Sequence, residues 1–208
     1  MPDDELVLDT PEPPDDQGYE EFEDYRALAL LEANGIGRDE ESLVAALASP
    51  SSVLQGAAAH ALGSLGMASA VGALERLEAE ADDLVKVEAA YALVRLGEDD
   101  HRDTLHAALA DPVNAYLGPP AAAGDLARLG DPAGFPVIEA CLAEDNLIAR
   151  VGGCKQLFFF VPLQGQPAAD ERPVDAVGVL KGLLEDPDPE IRRIAALQWD
   201  ELGKSYTL

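Results

Sequence analysis

A helix-forming segment that recurs about every 30 residues constrains this chain more than any other feature. Four copies align without gaps: Leu54–Gly66 (LQGAAAHALGSLG), Val85–Gly97 (VKVEAAYALVRLG), Gly118–Gly130 (GPPAAAGDLARLG) and Ile191–Gly203 (IRRIAALQWDELG). A fifth, Ile148–Phe160 (IARVGGCKQLFFF), fits between the third and fourth with a different ending, so successive offsets are 31, 33, 30 and 43 residues. Each copy carries a small pair at one place: Ala58-Ala59, Ala89-Ala90, Ala122-Ala123, Gly152-Gly153 and Ala195-Ala196. Four copies close on Leu-Gly, at Leu65-Gly66, Leu96-Gly97, Leu129-Gly130 and Leu202-Gly203.

Apolar or small residues three and four apart, as at Val85, Ala89, Leu93 and Leu96, put one stripe on a helical period. The small pair admits a neighbouring helix closely, and the closing Gly suits the left-handed residue that ends a helix. A shorter periodic run lies between copies: examples are Val71-Leu74-Leu77, Leu105-Ala108-Leu109, Phe135-Ile138-Leu142 and Val177-Leu180-Leu184. Asp- and Pro-rich turns then intervene, at Asp82-Asp83, Asp111-Pro112, Asp145-Asn146 and Asp186-Pro187-Asp188-Pro189. Helix, Gly turn, helix, Asp/Pro turn is the grammar of an α-solenoid. Strand signals are nearly absent. The reading is all-α, a right-handed α-solenoid of about five helix pairs, with repeats over 22–208.

The stretch Leu183–Gly203 (LLEDPDPEIRRIAALQWDELG) resembles the short HEAT repeat, the variety also found in phycobilin lyases. An Asp-rich turn (Asp186 or Asp188), an apolar-basic pair (Ile191-Arg192), an Ala pair (Ala195-Ala196) and a closing Leu202-Gly203 fill that pattern. The resemblance covers about 26–208, with Tyr25–Ala48 as an atypical first unit. It implies architecture and serves many binding roles, so function must be argued from the residues.

Charge narrows the partners. The 208 residues hold 40 Asp and Glu against 14 Lys and Arg, a formal net charge of −26. Eleven of those acids and four prolines lie in residues 1–25, which leads to the expectation that 1–21 is an acidic, disordered tail. The rest of the chain still carries 15 more acids than bases. Such a balance opposes binding DNA or RNA through phosphates. It suits either a well-solvated surface or a face that meets a basic protein. No apolar run is long enough to span a membrane, no signal-peptide pattern opens the chain, and two cysteines make no disulfide scaffold. A cytoplasmic protein without membrane contact is the expectation.

Enzyme readings find little support. Deoxyhypusine hydroxylases, which resemble this repeat, bind iron through His-Glu pairs, whereas His60, His101 and His106 are followed by Ala61, Arg102 and Ala107. HEAT-like DNA glycosylases present a basic face, which the charge opposes. His101 and His106, five apart, point to different sides of a helix and make a poor metal pair. His60 reads as a satisfied, partly buried histidine, and Cys141 and Cys154 as small core residues. No phosphate loop, nucleophile elbow or HExxH motif is present. No catalytic residue, metal ligand or cofactor is assigned.

The repeat departs from its own pattern in three places. Phe158, Phe159 and Phe160 replace the Leu-Gly ending, followed by an insertion through Pro173 that accounts for the 43-residue offset. Adjacent rings spread over about 200° of a helix, so either the solenoid buries all three or one ring stays exposed as a partner anchor. Pro119-Pro120 should shorten the third repeat helix, which would start near Pro120. Tyr19–Tyr25 either orders on a partner or caps the first repeat through Phe22, Tyr25 and Leu28.

These features lead to a non-catalytic protein-binding module or scaffold. Its second helices would line a concave face, offering Glu75, Arg76, Glu78, Arg102, His106, Glu139 and Lys181. An immunity or inhibitor protein against a basic toxin or nuclease is the first alternative, and a tetrapyrrole (bilin) lyase or chaperone the second.

Overall fold

The computed structural model describes residues 19–110 and 118–205. The expectation of a disordered tail lies outside that range up to residue 18, as does the Asp111-Pro112 turn; helix begins at Tyr19. Among the described residues the regular structure is helical, apart from one isolated bridge between Pro167 and Pro173. The chain forms two compact units, divided between Arg102 and Asp103.

The first unit holds α1 (Tyr19–Ala33), α2 (Glu40–Ala46), α3 (Ser52–Ser64), α4 (Val71–Glu80) and α5 (Asp83–Arg95); α6 (Arg102–Ala108) begins at its end. Helix α3 packs between α1 and α5, with α2 against α3 and α4 against α5. The interior stripe is Leu31, Leu43, Leu62, Leu74 and Leu93, each essentially removed from water. Helix starts are set by side-chain caps: Asp39, Ser51 and Asp82 accept from the backbone N–H groups of Ser42, Leu54 and Val85 at 2.9, 3.4 and 3.2 Å. Helix ends repeat one device. Gly66 and Gly97 take φ of +67° and +100°, and the next residues, Met67 and Glu98, each donate 3.0 Å back to the carbonyls of Leu62 and Leu93. That is a Schellman closure, and only glycine adopts the left-handed angle without strain. The period seen in sequence is thus a period of caps as well as of apolar residues.

Ala58, Ala59, Ala89 and Ala90 are fully buried between helices. Ala90→Leu therefore forces packed helices apart, and we expect a loss of about 1–3 kcal/mol. A thermal melt of the variant with an unchanged midpoint would count against this packing.

The second unit holds α7 (Gly118–Arg128), α8 (Phe135–Ala143), α9 (Leu147–Leu157), α10 (Ala176–Leu183) and α11 (Pro189–Ser205). Helix α9 packs on α7, α8 and α11, and α10 packs on α11. Three sequence readings change here. Helix α7 is short, 11 residues against 13 in α3 and α5, but starts at Gly118 with both prolines inside its first turn. First-turn N–H groups need no intrahelical acceptor, so the prolines cost little there. Helix α11 runs through Gly203 instead of closing on it, and Ala196, the second of its small pair, is exposed.

The copy Ile148–Phe160 is shifted by one residue. Asn146 caps α9, accepting from Ile148 and Ala149 at 2.8 and 3.4 Å, so Ala149 takes the buried place of Leu54 and Val85. Ile148 is left 62% exposed. Gly153 and Cys154 then fill the small-pair places and Leu157 that of Leu62 and Leu93. Cap position, rather than the Gly152-Gly153 pair, sets the register.

Candidate interaction surface

The aromatic break sits directly after α9. Pro162 lacks an N–H and its ring would collide with the carbonyl of Phe158 in an α-helix, so Phe158–Leu163 tightens into a 3-10 turn. Buried Gln198 of α11 donates to the carbonyls of Cys154 (2.7 Å) and Lys155 (3.3 Å), near the end of α9. All three rings go inside: Phe158, Phe159 and Phe160 are 8%, 3% and 0% exposed. Phe160 meets Phe135 with centroids 5.4 Å apart, and the Arg128 guanidinium lies 5.1 Å from the Phe159 centroid. The partner-anchor role offered for these residues has no exposed ring to carry it. A helix turning by 100° per residue would splay the rings, but in the 3-10 turn all three are enclosed, with Phe158 edge-on to Phe159 at 6.3 Å.

The insertion is tied down. Gly165 and Val174 bond across it, the N–H of Gly165 to the Val174 carbonyl and the N–H of Val174 to the Gln166 carbonyl, each at 2.9 Å. Arg172 reaches Asp170 at 2.6 Å and Glu139 of α8 at 2.5 Å. Glu139, offered from sequence as a free surface acid, is thus the loop's anchor.

The other candidates divide. Glu75 and Arg76 are exposed on α4, and Lys181 on α10. Glu78 is not: it is 8% exposed and pairs with His101 Nδ1 at 2.5 Å. It follows Leu74 by four positions and so shares that residue's inward side, which corrects its assignment to the surface. Arg102 pairs with Asp99 at 3.3 Å, and exposed His106 with Asp131 at 3.1 Å, one turn before α8.

Sequence reasoning missed a polar cluster inside the first unit. Buried His60 of α3 places Nε2 2.7 Å from Asp24 of α1 and Nδ1 3.3 Å from Glu88 of α5. Arg95 donates to Asp24 at 3.1 Å and stacks 5.7 Å from the ring of Tyr91, which itself lies 5.5 Å from the imidazole. Burial alone would raise the Asp24 pKa, but the hydrogen bond and charge of His60, joined by Arg95, hold it well below the usual carboxylate range. The signal was a lone His in an otherwise apolar copy, but its partners sit 36 and 28 positions away, and only the fold brings them together.

The thiols offer no nucleophile. Burial pushes Cys154 up to about 12 and raises Cys141, so both stay protonated at neutral pH. In the turn before α11, Arg150 pairs with Asp186 while Arg192 donates to the carbonyls of Asp186 and Pro187. That assigns the Asp-Pro-Asp-Pro segment to holding α9 and α11 together. Among the described residues, no group of three or more His, Cys, Asp or Glu could hold a metal ion, and no helix is long and apolar enough to cross a membrane.

Exposed acids gather on the second helices of the first unit. Helix α2 opens on exposed Glu40 and Glu41, α4 shows Glu75 and Glu80, and the turn into α6 shows Glu98, Asp99 and Asp100. Residues 40–117 match a family model described as HEAT repeats. No curated protein matches the chain.

Proposed function

We propose that this chain, whose residues 40–117 match HEAT repeats, acts as a non-catalytic protein-binding module whose second helices present an acidic surface to a basic protein. One observation carries the reading: the exposed sides of α2 and α4 and the turn leading to α6 carry seven acids, Glu40, Glu41, Glu75, Glu80, Glu98, Asp99 and Asp100, with Arg76 as the base among them. A surface of one sign attracts a partner of the other and speeds encounter. Supporting it, the histidines are engaged with carboxylates and the thiols are buried, so the side chains best suited to chemistry serve the fold.

An inhibitor of a basic toxin or nuclease is a narrower use of the same surface, favoured by the net charge of −26. A toxin gene beside this one would select it.

Charge reversal tests the surface. Glu75→Lys combined with Glu80→Lys should slow association with a basic partner by about tenfold or more at low salt, within the range electrostatic steering spans. Thermal stability should hardly change, because exposed substitutions stay within about 0.5 kcal/mol. An unaltered association rate would remove α4 from the surface proposed.

A further inference from the structure

The His60 cluster can do more than fill space. Carboxylate oxygens only accept hydrogen bonds, and both ring nitrogens of His60 face one, Asp24 at Nε2 and Glu88 at Nδ1. A ring protonated on both nitrogens, an imidazolium, satisfies both contacts at once. With it, Asp24 and Glu88 are balanced by His60 and Arg95. Without it, one carboxylate meets a ring lone pair across a buried contact. The shorter bond goes to Asp24, while the Glu88 side chain is 34% exposed and free to turn to water, so the neutral ring keeps Asp24 and releases Glu88.

We propose that His60 is a proton-operated tie between α1, α3 and α5: protonated, it holds all three helices, and deprotonated, it loosens α5 from α3 and leaves α1 held by fewer charges. The tie is placed to matter. Helix α1 leads directly out of the acidic segment that precedes it, so whatever engages that segment pulls on a helix fastened through His60.

Among the described residues, the groups facing the ring include Asp24 from α1 and Glu88, Tyr91 and Arg95 from α5. On α3 itself, Ser64 donates to the His60 carbonyl and leaves the ring alone. Helix α2 also packs on α3, but its acids Glu40 and Glu41 are exposed, and Glu40 is bonded to Ser69. Asp24 is held ionised far below neutrality, so it does not titrate with the tie. Burial opposes the charged ring, and two facing carboxylates favour it; where the carboxylates prevail, as the tie requires, the histidine binds its proton more tightly folded than unfolded. Its contribution is then complete below the ordinary histidine value of about 6.5 and is lost as pH climbs through the higher folded value.

The experiment uses the full chain, labelled with nitrogen-15. At pH 7 the two ring nitrogens of His60 should both show the protonated shift, with a titration midpoint above the ordinary histidine value of about 6.5. Amide exchange in α1 and α5, corrected for its intrinsic pH dependence, should quicken by about tenfold for each unit of that shift between pH 6 and 9, below the tyrosine range. His60→Gln should abolish this dependence, because its amide still donates to Asp24 but cannot titrate. Should that variant fail to fold, Glu88→Gln serves in its place and should lower the His60 midpoint. A midpoint at or below 6.5, exchange that ignores pH, or the same pH dependence in His60→Gln would each overturn the proposal.

Discussion

Replacing Phe160 with alanine is expected to cost about 3–5 kcal/mol, the usual range for emptying a buried aromatic site. The ring is fully enclosed, rests on Phe135 and lies in a turn whose backbone is held by Pro162 and the anchored insertion, so the site has little freedom to collapse. A loss of that size is a large share of the roughly 5–15 kcal/mol that keeps a domain folded. Urea unfolding followed by Trp199 fluorescence reports on the right place, since the chain's single tryptophan lies on α11 of the same unit. Phe158→Ala should cost less, because its ring retains some solvent contact. Equal midpoints for Phe160→Ala and the parent chain would return the rings to the surface and revive their role as an anchor.

The second large effect is at Gly63. A Cβ built there would stand 2.8 Å from the Ala92 Cα and 3.0 Å from its Cβ, so α3 and α5 touch backbone to side chain at this crossing. The obstacle is main chain, which cannot swing away, so Gly63→Val should cost at least the upper part of the 1–3 kcal/mol seen for overpacking. Gly72 on α4 is the control. A Cβ there meets nothing within 4 Å, and Gly72→Ala should leave stability unchanged or raise it by up to about 1 kcal/mol. If thermal melts show the two variants shifting alike, α3 and α5 do not cross this closely.

The helix order follows from features that are local in the chain. An apolar stripe, a small pair and a closing Gly are visible within 13 residues, and they placed α3, α5, α7 and α9 to within a few positions. The misplacements have a common cause. Gly152-Gly153 mimicked the Ala pair, whereas the Asn146 cap sets the helix phase, so the alignment slipped by one residue. Gly203 looked like a terminator, but helix α11 continues through it to Ser205. Surface candidates fared worse because amphipathic phase cannot foresee long-range pairing. Glu78 lies on the inward side with Leu74 and is paired there with His101, 23 positions on, while half-exposed Glu139 is engaged by Arg172, 33 positions on. His60 and its partners on α1 and α5 show the same limit, and they form a buried ionic cluster that the repeat pattern gave no reason to expect.

Whether the surface acids recognise a partner is decided most directly by the association rate of the full chain with its captured protein, measured from 0.1 M to 1 M salt. Over that range the Debye length falls from about 10 Å to about 3 Å, which extinguishes steering between exposed charges. The account predicts a fast rate at the low end that drops steeply, by at least about tenfold, as salt rises. A rate that is slow and indifferent to salt, with affinity carried by dissociation, would contradict it and leave the acids as a means of keeping the chain apart from its neighbours.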